Sequence, residues 1–196
     1  MSDRATRGHG LLEPLLARLR ARRANALLSP ALRSGRVLDV GCGSSPYFLA
    51  HTYFQEKYAI DQLPPARGAE GIHWHSLNLN ESPQLPFADG YFSAVTMLAV
   101  AEHLDPTALE SLCREARRVL APGGRLVLTT PAARADRLLH FLARIGMVSS
   151  EEIDEHVYAY TPGLLGWYFG RAGFAMEKIR IGHFELGMNL WATAER

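Results

Sequence analysis

No apolar run in this chain approaches 18 residues, and its N-terminus lacks the apolar core of a secretory signal. Length alone therefore excludes a membrane-spanning helix, and a soluble, cytoplasmic protein without membrane insertion is expected. Cysteine is scarce. Cys42 and Cys113 cannot build the multi-bridge framework of a small secreted domain, which points to a reducing compartment. The net charge is only +1, so the chain as a whole has no electrostatic attraction for a polyanion, and a nucleic-acid partner is not expected. Repeats and low-complexity tracts are missing, and no metal site is expected. At 196 residues the chain can bury one complete core, and nothing divides it into two domains.

The charge that is present is uneven. Residues 1–36 hold eight arginines against Asp3 and Glu13, a local +6 that leaves −5 for the remainder. Leu11, Leu12, Leu15, Leu16 and Leu19 recur at helical spacing, which predicts an amphipathic helix over residues 10–28 with an arginine-rich outer face. That face has two readings: a patch for RNA or an anionic acceptor, or the solvated side of a helix capping a pocket. The patch has no interleaved aromatics, which favours the cap.

The most informative stretch is Val37-Leu38-Asp39-Val40-Gly41-Cys42-Gly43-Ser44-Ser45-Pro46, with Asp61 coming 22 residues after Asp39. An apolar run carrying an acid near its end reads as a buried parallel strand, and the glycines beyond it allow a tight turn close to a ligand. Asp61 falls at the end of the next strand, where a carboxylate can accept from ribose hydroxyls. A dinucleotide fingerprint needs a third glycine where the helix meets a pyrophosphate, and Pro46 stands there instead. Asp39 is also placed to reach an ammonium group. These departures suit S-adenosylmethionine, which has an adenosine and an amino-acid tail but no phosphate.

Loop and strand together resemble motif I of the class I S-adenosylmethionine-dependent methyltransferases. Three further blocks occur in the family's order. They are Asn78-Leu79-Asn80-Glu81 with Leu85-Pro86-Phe87-Ala88-Asp89-Gly90-Tyr91-Phe92, then Arg114 to Leu126 around Ala121-Pro122-Gly123-Gly124, and a weaker Arg171-Ala172-Gly173-Phe174. The resemblance covers residues 36–131. It implies an α/β, doubly wound, mostly parallel seven-stranded sheet of order 3-2-1-4-5-7-6 with strand 7 antiparallel, the Rossmann-like fold of that family. It also implies S-adenosylmethionine as cofactor. Two positions depart from the pattern. Asn78 stands where the family usually has Asp, keeping a carbonyl acceptor for the adenine amino group without the charge. Ser93 replaces an Asp after Phe92, a change read as structural.

The residues expected to bind the cofactor are Asp39, Gly41, Cys42 and Gly43 at the methionine end, Asp61 at the ribose, and Gln62 beside the adenine. Asn78 by side chain and Leu79 by backbone complete the adenine edge, with Asn80 as the alternative. Met97 and Leu98 end strand four beneath the sulfonium. Glu102-His103 comes next, and His103 is a candidate general base for an acceptor hydroxyl or a histidine that holds the next loop. Residues 155–160 alternate, which would put His156, Tyr158 and Tyr160 on one face of an extended segment. His156 is a second candidate base, and the tyrosines read as packing.

Strands alternating with helices predict the remaining elements. A short helix is expected from Pro46 to Phe54, strands at 72–75 and 93–98, and a helix capped by Asp105 with Pro106 in its first turn and ended by Pro122-Gly123-Gly124. Beyond it come a strand at 125–130, helices over 134–145 and from Thr161 to Gly173, and an edge hairpin of 175–184 with 188–194. The single domain is thus read as an N-terminal helical cap (1–35), a cofactor-binding core (36–131), an acceptor-pocket insert (132–160), and a last helix with the edge hairpin (161–196).

The expected activity is transfer of a methyl group to a small-molecule acceptor. No Asn/Asp-Pro-Pro-Tyr/Phe block comes after strand four, which argues against amino methylation of bases and favours an oxygen or carbon acceptor. RNA methylation through the basic helix, a nicotinamide-dependent oxidoreductase and a non-catalytic binding protein on the same scaffold are the rival readings.

Overall fold

The computed structural model describes residues 13–65, 69–133 and 159–196. Seven strands form one sheet: β1 (Arg36–Val40), β2 (Glu56–Asp61), β3 (Ile72–Ser76), β4 (Phe92–Leu98), β5 (Leu120–Pro131), β6 (Ile179–Phe184) and β7 (Asn189–Glu195). Their order is β3-β2-β1-β4-β5-β7-β6, as expected. β1 to β5 run parallel, and β7 is antiparallel to both its neighbours. A parallel sheet needs cover on both faces. Leu38 and Val40 point to one face and Val37 to the other, all fully buried.

The first face packs under α3 (Pro106–Val119) and α4 (Pro162–Arg171). The apolar stripe of α3, Leu109, Leu112, Cys113, Ala116 and Val119, is buried as its 3.6-residue spacing predicts. Thr161 caps α4, its hydroxyl accepting the Leu164 N–H at 3.3 Å. The second face packs under α1 (Glu13–Leu27) and the single turn α2 (Tyr47–Ala50).

Four expectations need correction. α1 does not bury its leucines: Ala17, Ala21 and Ala24 face the sheet, while Leu15 is 50% exposed and Leu16 and Leu19 are half-buried. Small side chains let the helix approach the sheet closely, and Arg125 ties the far end down by donating to Leu27 O at 2.7 Å. α2 ends at Ala50 rather than Phe54, because the chain must turn back into β2. Asp105 precedes α3 without a side-chain cap; its backbone N–H instead donates to Asn80 Oδ1 at 3.0 Å. Finally, α3 stops at Val119, before Pro122. Leu120 is drawn into the sheet opposite Phe92, so the Pro-Gly-Gly segment falls within β5.

The helix expected over 134–145 and the alternating stretch with His156 and Tyr158 lie outside the described residues. Among the described residues, no helix is long and apolar enough to cross a membrane.

Candidate cofactor and active site at the carboxyl edge of the sheet

Parallel strands deliver their following loops to one edge, and the expected site residues collect there. Gly41 and Gly43 both adopt left-handed backbone, with φ of 71° and 68°. The Gly41 N–H donates to Ile60 O at 2.7 Å, folding the loop against β2. A Cβ on Gly41 would come within 2.5 Å of Val100 Cγ2, whereas one on Gly43 would meet no atom within 4 Å. The first glycine is thus required by protein packing, and the second leaves the loop open to a ligand. Cys42 lies half-buried between them. Burial and the neighbouring acids push its thiol well up, so it lines the loop as a neutral group.

Two carboxylates flank this loop. Asp39 is buried, with Thr96 Oγ1 at 2.6 Å from its Oδ1. Burial pushes the Asp39 carboxyl up to about 7; the Thr96 hydroxyl opposes that rise, and Asp61 adds to it. Asp61 is also buried, its Oδ2 accepting the Gly43 N–H at 2.8 Å and its Oδ1 accepting the Leu63 N–H at 2.9 Å. Gln62 is exposed beside it.

The segment after β3 begins with Leu77 N donating to Asp61 O at 3.1 Å, which brings Asn78 and Leu79 to the same edge. The Asn78 side chain closes its own turn: Oδ1 accepts the Asn80 N–H at 3.2 Å, and Nδ2 donates to Glu81 at 2.9 Å. Leu79 buries its side chain in the core. Asn80 bridges to the loop after β4, with Nδ2 donating to His103 O at 3.2 Å and Oδ1 accepting from Asp105 N.

Met97 is buried and Leu98 partly so at the end of β4. Ala99 then takes a left-handed φ of 57°, turning the chain into a short 3-10 turn over Ala101–His103. That turn is pinned from two sides. Thr130 Oγ1 on β5 donates to buried Glu102 at 3.0 Å, and the Tyr160 hydroxyl donates to Ala101 O at 2.9 Å. Burial raises the Glu102 carboxyl above its ordinary range. Tyr160 is buried, so it packs, while His103 sits half-buried at the edge.

The structure therefore gathers Asp39, Gly41, Cys42, Gly43, Asp61, Gln62, Asn78, Leu79, Met97, Leu98 and His103 along one edge. Sequence reasoning missed Thr96, the Glu102–Thr130 bond and the bridging role of Asn80. A threonine inside the otherwise apolar Ala94-Val95-Thr96-Met97 was the legible signal for the first. One Tyr-x-x-x-Lys spacing, the pair expected of an oxidoreductase, does occur at Tyr53 to Lys57. It stands at the opposite end of β2, where Lys57 Nζ donates to Leu49 O at 2.7 Å.

Comparison with known proteins gives the family and the fold. A family model described as a methyltransferase domain matches residues 11–179. The ubiquinone/menaquinone biosynthesis C-methyltransferase of Desulfotalea psychrophila is 31% identical over 147 residues, covering 66% of this chain and 58% of that protein. The protein-L-isoaspartate O-methyltransferase of Cellvibrio japonicus is 31% identical over 140 residues, covering 70% of this chain and 60% of that one. The chain spans about half the length of the first curated relatives it matches, between 45% and 58% for two of them. Among solved structures, an S-adenosylmethionine-dependent methyltransferase from Archaeoglobus fulgidus superposes with a TM-score of 0.70 at 17% identity, covering 92% of this chain and 94% of that one. At that identity the likeness shows the fold.

Proposed function

We propose, from the premise that this chain belongs to the class I S-adenosylmethionine-dependent methyltransferase family, that it transfers a methyl group to an oxygen or carbon atom of a small-molecule acceptor. The observation that carries the reading is the loop at Gly43. It is open to a ligand on one side, held by the Asp61 carboxylate on the other, and has buried Asp39 at its start. This donor set fits S-adenosylmethionine.

When bound, S-adenosylmethionine supplies an electrophilic methyl group on a sulfonium whose leaving thioether is neutral. The protein's task is alignment and exclusion of water. Asp39 faces the ammonium group, and the backbone of Gly41, Cys42 and Gly43 the carboxylate. Asp61 takes the ribose hydroxyls, while Gln62, Asn78 and Leu79 border the adenine. Met97 and Leu98 form the floor. His103 accepts a proton from an acceptor hydroxyl, with His156 as the second candidate, and residues 132–160 supply the acceptor pocket.

The names of the two relatives support an oxygen or carbon acceptor, and the first supports a quinone-like ring. The reaction is assigned to the cytoplasm. Calorimetric titration with S-adenosylhomocysteine tests the cofactor site. Micromolar binding by the wild type that is lost in Asp61→Ala is expected, and no binding by the wild type would overturn the reading. Full turnover in a His103→Ala, His156→Ala double variant would remove the histidine base.

A further inference from the structure

Leu15, Leu16 and Leu19 of α1, left outside the core, have a companion at the carboxyl edge of the sheet. α1 runs from one edge to the other. Its last residue is tied to Arg125 where β5 begins its pairing with β4, while Arg20 lies within electrostatic reach of Glu102 and Glu185 at the carboxyl edge. Leu15 and Leu16 precede Arg20 by about one turn and so lie farther out over that edge, at roughly 1.5 Å of rise per residue. The β6–β7 turn reaches the same edge, because Phe184 ends β6 and Asn189 begins β7 beside Pro131. At its tip Leu186 is fully exposed, held out by consecutive left-handed residues Glu185 and Leu186 with φ of 52° and 54°. Non-glycine residues take that conformation at a cost, and a leucine held out by it gains nothing from water.

Charge completes the pattern. After Glu13, α1 carries Arg18, Arg20, Arg22 and Arg23 and no acid. Arg18 and Arg22 are exposed, and Arg23 stacks over Phe184 and Trp191 at 5.6 and 5.8 Å from the ring centroids, joining helix and hairpin. Residues 14–28 carry +4 against a total of +1, so the rest of the chain is net negative and an anionic surface attracts α1 more than the remainder.

We propose that the carboxyl edge docks on an anionic lipid surface, Leu15 and Leu186 entering the headgroup boundary while Arg18 and Arg22 meet the lipid phosphates. Exposed aliphatic side chains flanked by arginines match such a surface on both counts. A single-stranded nucleic acid would instead call for aromatic platforms, which the exposed face of α1 does not offer. The inference rests on the methyl-transfer reading only for what the surface delivers, an apolar acceptor reached without crossing water.

Sedimentation of the full chain with vesicles tests it, using phosphatidylcholine alone and phosphatidylcholine with phosphatidylglycerol at seven to three. Binding is expected on the anionic vesicles, weakening with salt. It should fall by roughly tenfold or more in a Leu15→Glu, Leu186→Glu variant, and likewise in Arg18→Glu, Arg22→Glu, with S-adenosylhomocysteine affinity and unfolding temperature kept. Anionic vesicles bound equally by either variant would overturn the proposal. So would a chain that binds S-adenosylhomocysteine but no vesicle, which leaves methyl transfer standing, or one that binds an RNA oligonucleotide and no vesicle. Vesicle binding without S-adenosylhomocysteine binding would uphold the docking and remove the methyl-transfer reading.

Discussion

Gly43 and Asp61 are joined by a hydrogen bond of 2.8 Å from the glycine N–H to the carboxylate, so the end of β2 holds the loop that leaves β1. Asp61 therefore shapes the loop, beside the ribose contact proposed for it.

Substitution at Asp61 should cost more than one ligand contact. Asp61→Ala removes the side-chain acceptors of the Gly43 and Leu63 N–H groups and is expected to weaken S-adenosylhomocysteine binding on the order of 100-fold. Asp61→Asn keeps one carbonyl acceptor and should lose about tenfold. Titration calorimetry separates the two, and equal affinities for wild type and Asp61→Asn would refute the shared role.

Asp39 makes stability depend on pH in a direction opposite to that of most carboxylates. Its folded carboxyl titrates at about 7 against 3.8 for an unperturbed one, chiefly through burial. Across that window the folded chain keeps a proton that the unfolded chain has lost, so stability is fullest at the acid end and declines as pH rises towards 7. Urea unfolding at pH 5 and pH 7.5 should show a larger decline in the wild type than in Asp39→Asn. A ligand ammonium at Asp39 should also expel the proton, visible as buffer-dependent heats of S-adenosylhomocysteine binding near pH 6.

The two loop glycines should respond differently to alanine. At Gly43 only the left-handed backbone is penalised, by about 1–2 kcal/mol. At Gly41 the collision with Val100 adds a further ~1–3 kcal/mol of overpacking. Adding Val100→Ala should recover part of the loss in Gly41→Ala and none in Gly43→Ala. Equal destabilisation of the two single variants in urea would show that Val100 yields freely.

Asn80 should govern the order of the turn that carries His103. Asn80→Ala removes both of its bonds, to His103 O and from Asp105 N, and each is worth about 0.5–1.5 kcal/mol. Hydrogen exchange at the amides of His103, Leu104 and Asp105 should accelerate by roughly tenfold, with S-adenosylhomocysteine affinity unchanged. Unaltered exchange would place the control of this turn with Thr130 and Tyr160.

Much of this was legible in the sequence for reasons of local chemistry. The run Val37 to Val40 puts an apolar side chain on each face, as a central parallel strand requires, with Asp39 as its exception. Gly41 and Gly43 mark the turn after β1, and Asp61 marks the end of β2. The carboxyl-edge placement of those residues and Asp39 came from the same pattern, whereas the strand order came from the resemblance to the family. What failed depended on distant neighbours. The leucine periodicity of α1 is real, yet the face that packs is the one whose alanines fit against the sheet. Asp105 has a capping side chain, but Asn80, 25 residues earlier, takes its backbone instead. Thr96 on Asp39 and Thr130 on Glu102 are contacts across 57 and 28 residues, so a local pattern can mark the threonine but not name its partner.

The bond from Arg125 to Leu27 closes a span of 98 residues, and this imposes an order in time. At about 5–20 residues per second, a ribosome has finished α1 roughly 5–20 seconds before it makes the arginine that anchors it. Through that interval the alanine face and the leucine stripe are exposed together. A newborn chain thus shows this helix before the strands it covers, and the tie at its end forms only when β1 to β4 have been made and β5 begins.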